Sequence, residues 1–309
     1  MHPRENPIYH STKLTYGSYL KIPELLAIQS PRTDHHDELL FIQAHQVYEL
    51  WFKQMLHELA GPGGVCERLD RDEPLRAAQL LERIHRIQHL LIQQLPLLET
   101  MFSTEFAKFR DALRPASGFQ SVQFRKIEFL CGNKNAKMLA LIGEDGPAGD
   151  AARAEMFTFL AKPTPYDHFL RHLAREDNGV FQIPRDVLER DTSQPHDEDP
   201  RLIDSLEILY RKQDEWGGEK GERYYAQFKV CEHLLEFDER FQIWRFNHVK
   251  MVERMIGSMA GTGGSSGAKY LHTTVKTFWP DLWGVRARFG GLNYGRPQDP
   301  PADASEPRP

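Results

Sequence analysis

FIQAHQVYELWFKQMLHEL, residues 41–59, decides the fold class. Phe41, Ala44, Tyr48, Phe52, Met55 and Leu59 recur at steps of three and four, the period of one buried face on a helix of about 3.6 residues per turn. Just upstream, Thr33 and Asp34 offer N-cap oxygens, and Asp37 and Glu38 place negative charge in the first turn, where the helix dipole favours it. His45 falls inside the apolar stripe. It is either a core imidazole bonded to a backbone carbonyl or a functional group, and the segment alone does not choose between them.

Working outward, helical spacing dominates the chain. GPGG at 61–64 makes a turn, and residues 74–102 return to the helical period, with Pro96 expected to interrupt them. Shorter helical patterns follow over 104–113, 119–131 and 151–161, divided by RPASG and EDGPAGD. Residues 185–200, RDVLERDTSQPHDEDP, read as an exposed polar loop. The longest pattern runs from Glu222 to Met259, where Tyr224, Phe228, Cys231, Leu235, Phe241, Trp244, His248, Val252 and Met255 trace one apolar face. His248 is therefore a second histidine on a core stripe. Almost nothing alternates as a strand does, so the expected fold is all-α, a single multi-helix domain over 14–290. A flexible N-terminus is expected over 1–13 and a Pro- and charge-rich disordered tail over 291–309.

Composition narrows the function. The chain has 309 residues, 40% of them hydrophobic, enough for a sizeable core. A formal net charge of -5 supplies no broad cationic field, which argues against nucleic acid as a partner. Cys66, Cys131 and Cys231 are an odd number, far apart and outside any CxxC pair, as expected of reduced thiols. No signal core and no run of about 18 apolar residues is present, so no membrane association and a cytoplasmic location are expected.

Several stretches carry candidate chemistry. His45 and His248 are each able to ligate a metal, since imidazole is the commonest protein ligand. His85 with His89, and His168 with His172, are four apart and share helix faces as two-histidine zinc sites do, but neither pair has the HExxH glutamate. A zinc hydrolase is thus a minor alternative to surface or structural histidines. AGTGGSSG at 260–267 follows a helix rather than a strand and completes no nucleotide fingerprint; it is either a lid over a site or a plain connector. In FAKFRDALRPASGFQS, 106–121, Arg110 is placed among aromatics and is able to grip a carboxylate bidentately, although most such arginines are solvated.

Five stretches taken together carry a resemblance: LTYGSYLKIPELLAIQ, HDELLFIQAHQVYELWFKQMLHEL, FRDALRPASGFQSVQFRKIEFLCGNKN, WRFNHVKMVERMIG and GTGGSSGAKYL. In this order, over residues 14 to about 285, they resemble the haem-containing tryptophan 2,3-dioxygenases. The resemblance implies an all-α homotetramer, a dimer of dimers, with one non-covalently held haem b per subunit. L-tryptophan and O2 are the implied substrates and N-formyl-L-kynurenine the product, the first step of tryptophan breakdown along the kynurenine route. It implies His248 as the axial haem-iron ligand and His45 as the distal histidine facing the indole N–H. Phe41 and Leu113 are implied to pack on the indole, Arg110 to hold the carboxylate, and Thr262 and Ser117 to lie at the amino-acid head group. Tyr16, Tyr19 and Leu20 match residues that complete a neighbouring subunit's pocket. Phe106 stands where some relatives carry tyrosine, which removes a hydroxyl contact and leaves more to Arg110. The alternatives are an indoleamine dioxygenase of broader range and a helical haem-binding sensor without turnover.

Overall fold

The computed structural model describes residues 14–141, 147–175, 179–212, 218–259 and 271–291. The expected flexible N-terminus over 1–13, the glycine-rich loop with Thr262, and the tail from 292 lie outside the described residues. Among those residues the regular structure is helical throughout, with no strand. In chain order the helices are α1 (Tyr16–Leu20), α2 (Ile22–Leu25), α3 (Asp37–Ala60), α4 (Val65–Asp70), α5 (Pro74–Leu98), α6 (Ser103–Arg110) and α7 (Val122–Cys131). They continue with α8 (Pro147–Ala161), α9 (Pro165–Ala174), α10 (Arg185–Leu188), α11 (Pro200–Arg211), α12 (Gly218–Ile256) and α13 (Pro280–Gly284).

α5 and α12 form the axis of the fold. α12 runs for 39 residues, about 58 Å at 1.5 Å per residue. Val230, Leu234, Phe237 and Phe241 repeat at helical spacing along its inner face and are buried. Gly257, at φ 57°, then takes the left-handed conformation that ends the helix without a Cβ penalty. α3 and α4 pack on α5, while α7 bridges α3 and α8. Asp238, fully buried on α12, accepts from the Phe278 amide at 3.0 Å and the Trp283 indole N–H at 2.9 Å, fastening the C-terminal segment onto the axis.

Three local expectations are corrected. Thr33 and Asp34 do not cap α3: His36 is the N-cap and makes no side-chain cap bond. The fully buried Glu38 instead reaches back, accepting from the amides of Arg32 at 2.7 Å and Thr33 at 2.8 Å and from the Thr33 hydroxyl at 2.5 Å. Pro96 does not interrupt α5, which runs on to Leu98; so close to a helix end, the lost N–H bond is one of very few remaining. Residues 185–200 are more than an exposed loop. They contain the α10 turn, Arg190 pairs with Asp167 at 2.8 Å, and the buried His196 ring donates to the fully buried Asp281, which also receives the Tyr166 hydroxyl at 3.0 Å.

Candidate active site

A cavity of about 310 Å3 lies between α3 and the C-terminal half of α12, within the size range of small-molecule and cofactor sites. Phe41, His45, Tyr48 and Phe52 face it from α3, and Trp244, His248, Val252 and Met255 from α12. Both sets are the apolar stripes of the sequence, so each stripe is half core and half cavity wall. α6 adds Phe106 and Arg110, and Ser117 stands at the following turn.

The two histidines differ in their bonding. His45 Nδ1 donates to the Phe41 carbonyl oxygen, 2.7 Å away, one turn back on its own helix. A carbonyl only accepts, so Nδ1 holds the proton and Nε2 of the neutral ring keeps a lone pair. By surface area His45 is exposed, not packed in the core. That surface opens into the cavity, and burial among the cavity walls still pushes its pKa below the usual histidine range, opposed by the Phe41 carbonyl and Glu49. His248 has no hydrogen-bond partner at either ring nitrogen among the described residues. Its ring is stacked on Trp244 at 5.2 Å and 15° and is thereby oriented. Burial, followed by repulsion from His45 and Arg245, pushes it down to about 4.

Around His45 the walls form an aromatic slot. Phe41 lies 4.2 Å from the His45 ring and is stacked with Phe106 at 5.6 Å, while Phe109 closes the back edge-on to Phe106 at 5.3 Å. Arg110, 7% exposed, brings a guanidinium to this end. At the other side, Arg125 and Arg245 both pair with the buried Glu128 and lie over Phe124 and Phe241 respectively, at 4.8 and 4.9 Å. Two guanidiniums against one carboxylate leave these three groups with one excess positive charge beside the cavity.

Of the residues singled out in the sequence, the structure brings Phe41, His45, Phe106, Arg110, Ser117 and His248 to one cavity. Leu113 is half-buried against the main core and does not line it. Tyr16, Tyr19 and Leu20 are exposed, at 79%, 70% and 42%, and lie outside this chain's cavity. The Arg125–Glu128–Arg245 group, Trp244 and Phe109 received no role from sequence reasoning; charged residues on otherwise apolar helix faces were their signal. The spaced zinc pairs do not assemble. His89 is exposed, His168 bonds Asp70 at 2.8 Å and His172 lies 3.1 Å from Asp72.

A family model described as tryptophan 2,3-dioxygenase matches residues 5–142 and 218–289, which include every described cavity residue. The chain belongs to the tryptophan 2,3-dioxygenase family. It is 42% identical over 281 residues to a tryptophan 2,3-dioxygenase of Kineococcus radiotolerans, covering 90% of this chain and 92% of that one. The tryptophan 2,3-dioxygenase of Anaeromyxobacter dehalogenans is 44% identical over 284 residues, covering 91% and 98%. That of Herpetosiphon aurantiacus is 43% identical over 279 residues, covering 90% and 99%. The family implies haem-dependent catalysis, and this chain's cavity fits such a group. It has apolar walls on two helices, an oriented imidazole with no other partner, and excess positive charge beside it to balance anionic substituents. The three cysteines are buried free thiols, with burial pushing Cys66 up to about 12, so thiolate ligation is not supported there. Among the described residues no helix is long and apolar enough to cross a membrane.

Proposed function

We propose that the protein inserts both atoms of dioxygen across the indole C2–C3 bond of L-tryptophan, giving N-formyl-L-kynurenine, with one non-covalent haem b per subunit. The observation that carries this reading is the convergence of a proton-accepting His45 Nε2, an aromatic slot, a buried arginine and an unpartnered His248 on one cavity. His248 would hold the haem iron, and the haem, when bound, would supply the ferrous iron that dioxygen chemistry needs.

The chain's own residues position the substrate. His45 Nε2 accepts the indole N–H, which a ring locked by the Phe41 carbonyl does without rotating. It does not serve as an obligatory base, because an indole N–H is far less acidic than an imidazolium of ordinary pKa about 6.5. Phe41 and Leu113 pack on the indole, and Thr262 contacts the amino-acid head group with Ser117 nearby. Arg110 holds the carboxylate, without the hydroxyl that a tyrosine at position 106 would add. Water is excluded by the apolar walls as substrate fills the slot.

The exposed tyrosines and leucine of α1 support a homotetramer, a dimer of dimers, in which Tyr16, Tyr19 and Leu20 complete a neighbour's pocket. A cytoplasmic location and a single helical domain over 14–290 complete the reading. Incubating ferrous haem-loaded protein with L-tryptophan and oxygen tests it. Stoichiometric N-formyl-L-kynurenine is expected. Haem retention without product would favour a sensor, and equal turnover of tryptamine would overturn the role of Arg110 as carboxylate anchor.

A further inference from the structure

α5 and α12 hold a second histidine group, none of which lines the cavity. His85 on α5 and His233 and Glu236 on α12 bring one nitrogen or oxygen atom each within 4.8 Å of one another. Residues three apart share a helix face, so His233 and Glu236 turn together toward α5. His85 is 4% and His233 8% exposed, while the half-buried Glu236 leads out to the surface.

The hydrogen bonding of this group is incomplete. His85 Nε2 donates to the His233 carbonyl oxygen at 3.0 Å. Because that carbonyl only accepts, Nδ1 of the neutral His85 ring is a bare lone pair. It faces Glu236 Oε2 at 3.0 Å, acceptor against acceptor. Arg240 Nε occupies only the other oxygen, Oε1, at 2.8 Å. His233 Nδ1 lies 3.6 Å from the same Oε2, too far for a hydrogen bond, and is a buried nitrogen without a partner. Three atoms able to ligate a metal therefore converge, and one of them, His233 Nδ1, has no hydrogen-bond partner.

We propose that His85 Nδ1, His233 Nδ1 and Glu236 Oε2 bind a divalent transition-metal ion of the zinc class, at a site separate from the haem cavity, that fastens α5 to α12. Two imidazoles and a carboxylate suit zinc rather than calcium or magnesium, which prefer all-oxygen sets. At zinc bond lengths of about 2.0–2.2 Å, neighbouring ligands of a tetrahedron stand about 3.4 Å apart. The separations of 3.0 and 3.6 Å fall on either side of that. The surroundings are those of a ligand set: His85 gives its other N–H to a backbone carbonyl, and Glu236 is held by Arg240. Water takes the fourth position from the Glu236 side.

Zinc chloride is the probe, added to chelator-stripped holoenzyme so that His248 is engaged by haem. Equilibrium dialysis with metal analysis is expected to give one zinc per chain, and zinc is expected to raise Tm. His85→Gln and His233→Gln should each weaken zinc at least about 100-fold, beyond the roughly 10- to 100-fold that loss of an outer bond costs, and remove the Tm rise while haem content and tryptophan turnover persist. X-ray absorption should show two imidazole nitrogens in the zinc shell. Should a histidine variant fail to fold, the half-exposed Glu236→Gln gives the same comparison. A wild type that takes up no zinc, or variants that bind it as the wild type does, would overturn the site. Neither result bears on the dioxygenase reading, which rests on other residues.

Discussion

His248 and His233 sit on one helix, fifteen residues and about 22 Å apart along its axis, and their surroundings give them opposite work. His233 is enclosed, with its Nδ1 confronting a carboxylate and a second imidazole across a gap an ion would fill. His248 faces a cavity, its ring steadied by Trp244 and its nitrogens met by no described residue. Burial lowers the pKa of both rings, so both present neutral imidazole. The volume in front of the nitrogen therefore decides what each can hold: a single ion at one, a large planar cofactor at the other.

The sharpest way to break that contrast is to remove each ring in turn. His248→Ala should lose most of the bound haem, measured by Soret absorbance per chain, whereas His233→Gln should leave it untouched. Full haem retention and normal turnover in His248→Ala would remove the axial assignment.

At the substrate end of the cavity, the expected effects are smaller and kinetic. A charged hydrogen bond is worth roughly 1.5–3 kcal/mol, so Arg110→Ala should lower kcat/KM for tryptophan about 10- to 100-fold with haem content unchanged. Unaltered kinetics would take Arg110 out of the carboxylate site.

His45→Ala should cost least, since a neutral hydrogen bond contributes about 0.5–1.5 kcal/mol, or roughly two- to tenfold in rate. The variant should also discriminate less against 1-methyl-tryptophan, which has no N–H to offer and whose methyl group the smaller side chain accommodates. Turnover of both substrates at matched haem content measures this. Loss of both activities with haem intact would point to obligatory proton transfer by His45.

The helices carrying the site were legible because their apolar faces keep one period over many turns. Phe41 to Leu59 and Tyr224 to Met255 lie on α3 and α12 as that period requires. Periodicity does not distinguish a side chain packed against protein from one facing a void, which is why the stripe left His45 open between core and site; it is found on the cavity wall. The motif resemblance supplied roles for Arg110 and His248 that spacing alone left open. Long-range pairings were not legible. His85 pairs with residues 148 to 151 positions away, and the Arg125–Glu128–Arg245 group joins two helices far apart in the chain. Local signals also misled at Pro96, where closeness to the helix end outweighed the residue's usual effect, and at Thr33, which gives its hydroxyl to Glu38 rather than receiving an α3 amide.

Glu38 carries a consequence for the chemistry two turns away. Its carboxylate gathers three donors from residues 32 and 33. Burial alone would raise its pKa, but these bonds hold it below the usual carboxylate range. Each residue of an α-helix turns by about 100° and advances 1.5 Å. A clasp at the first turn of α3 therefore acts as a rotational stop: it fixes the azimuth at which Phe41 and His45 enter the cavity, and slippage by one residue would turn the imidazole about 100° away from it.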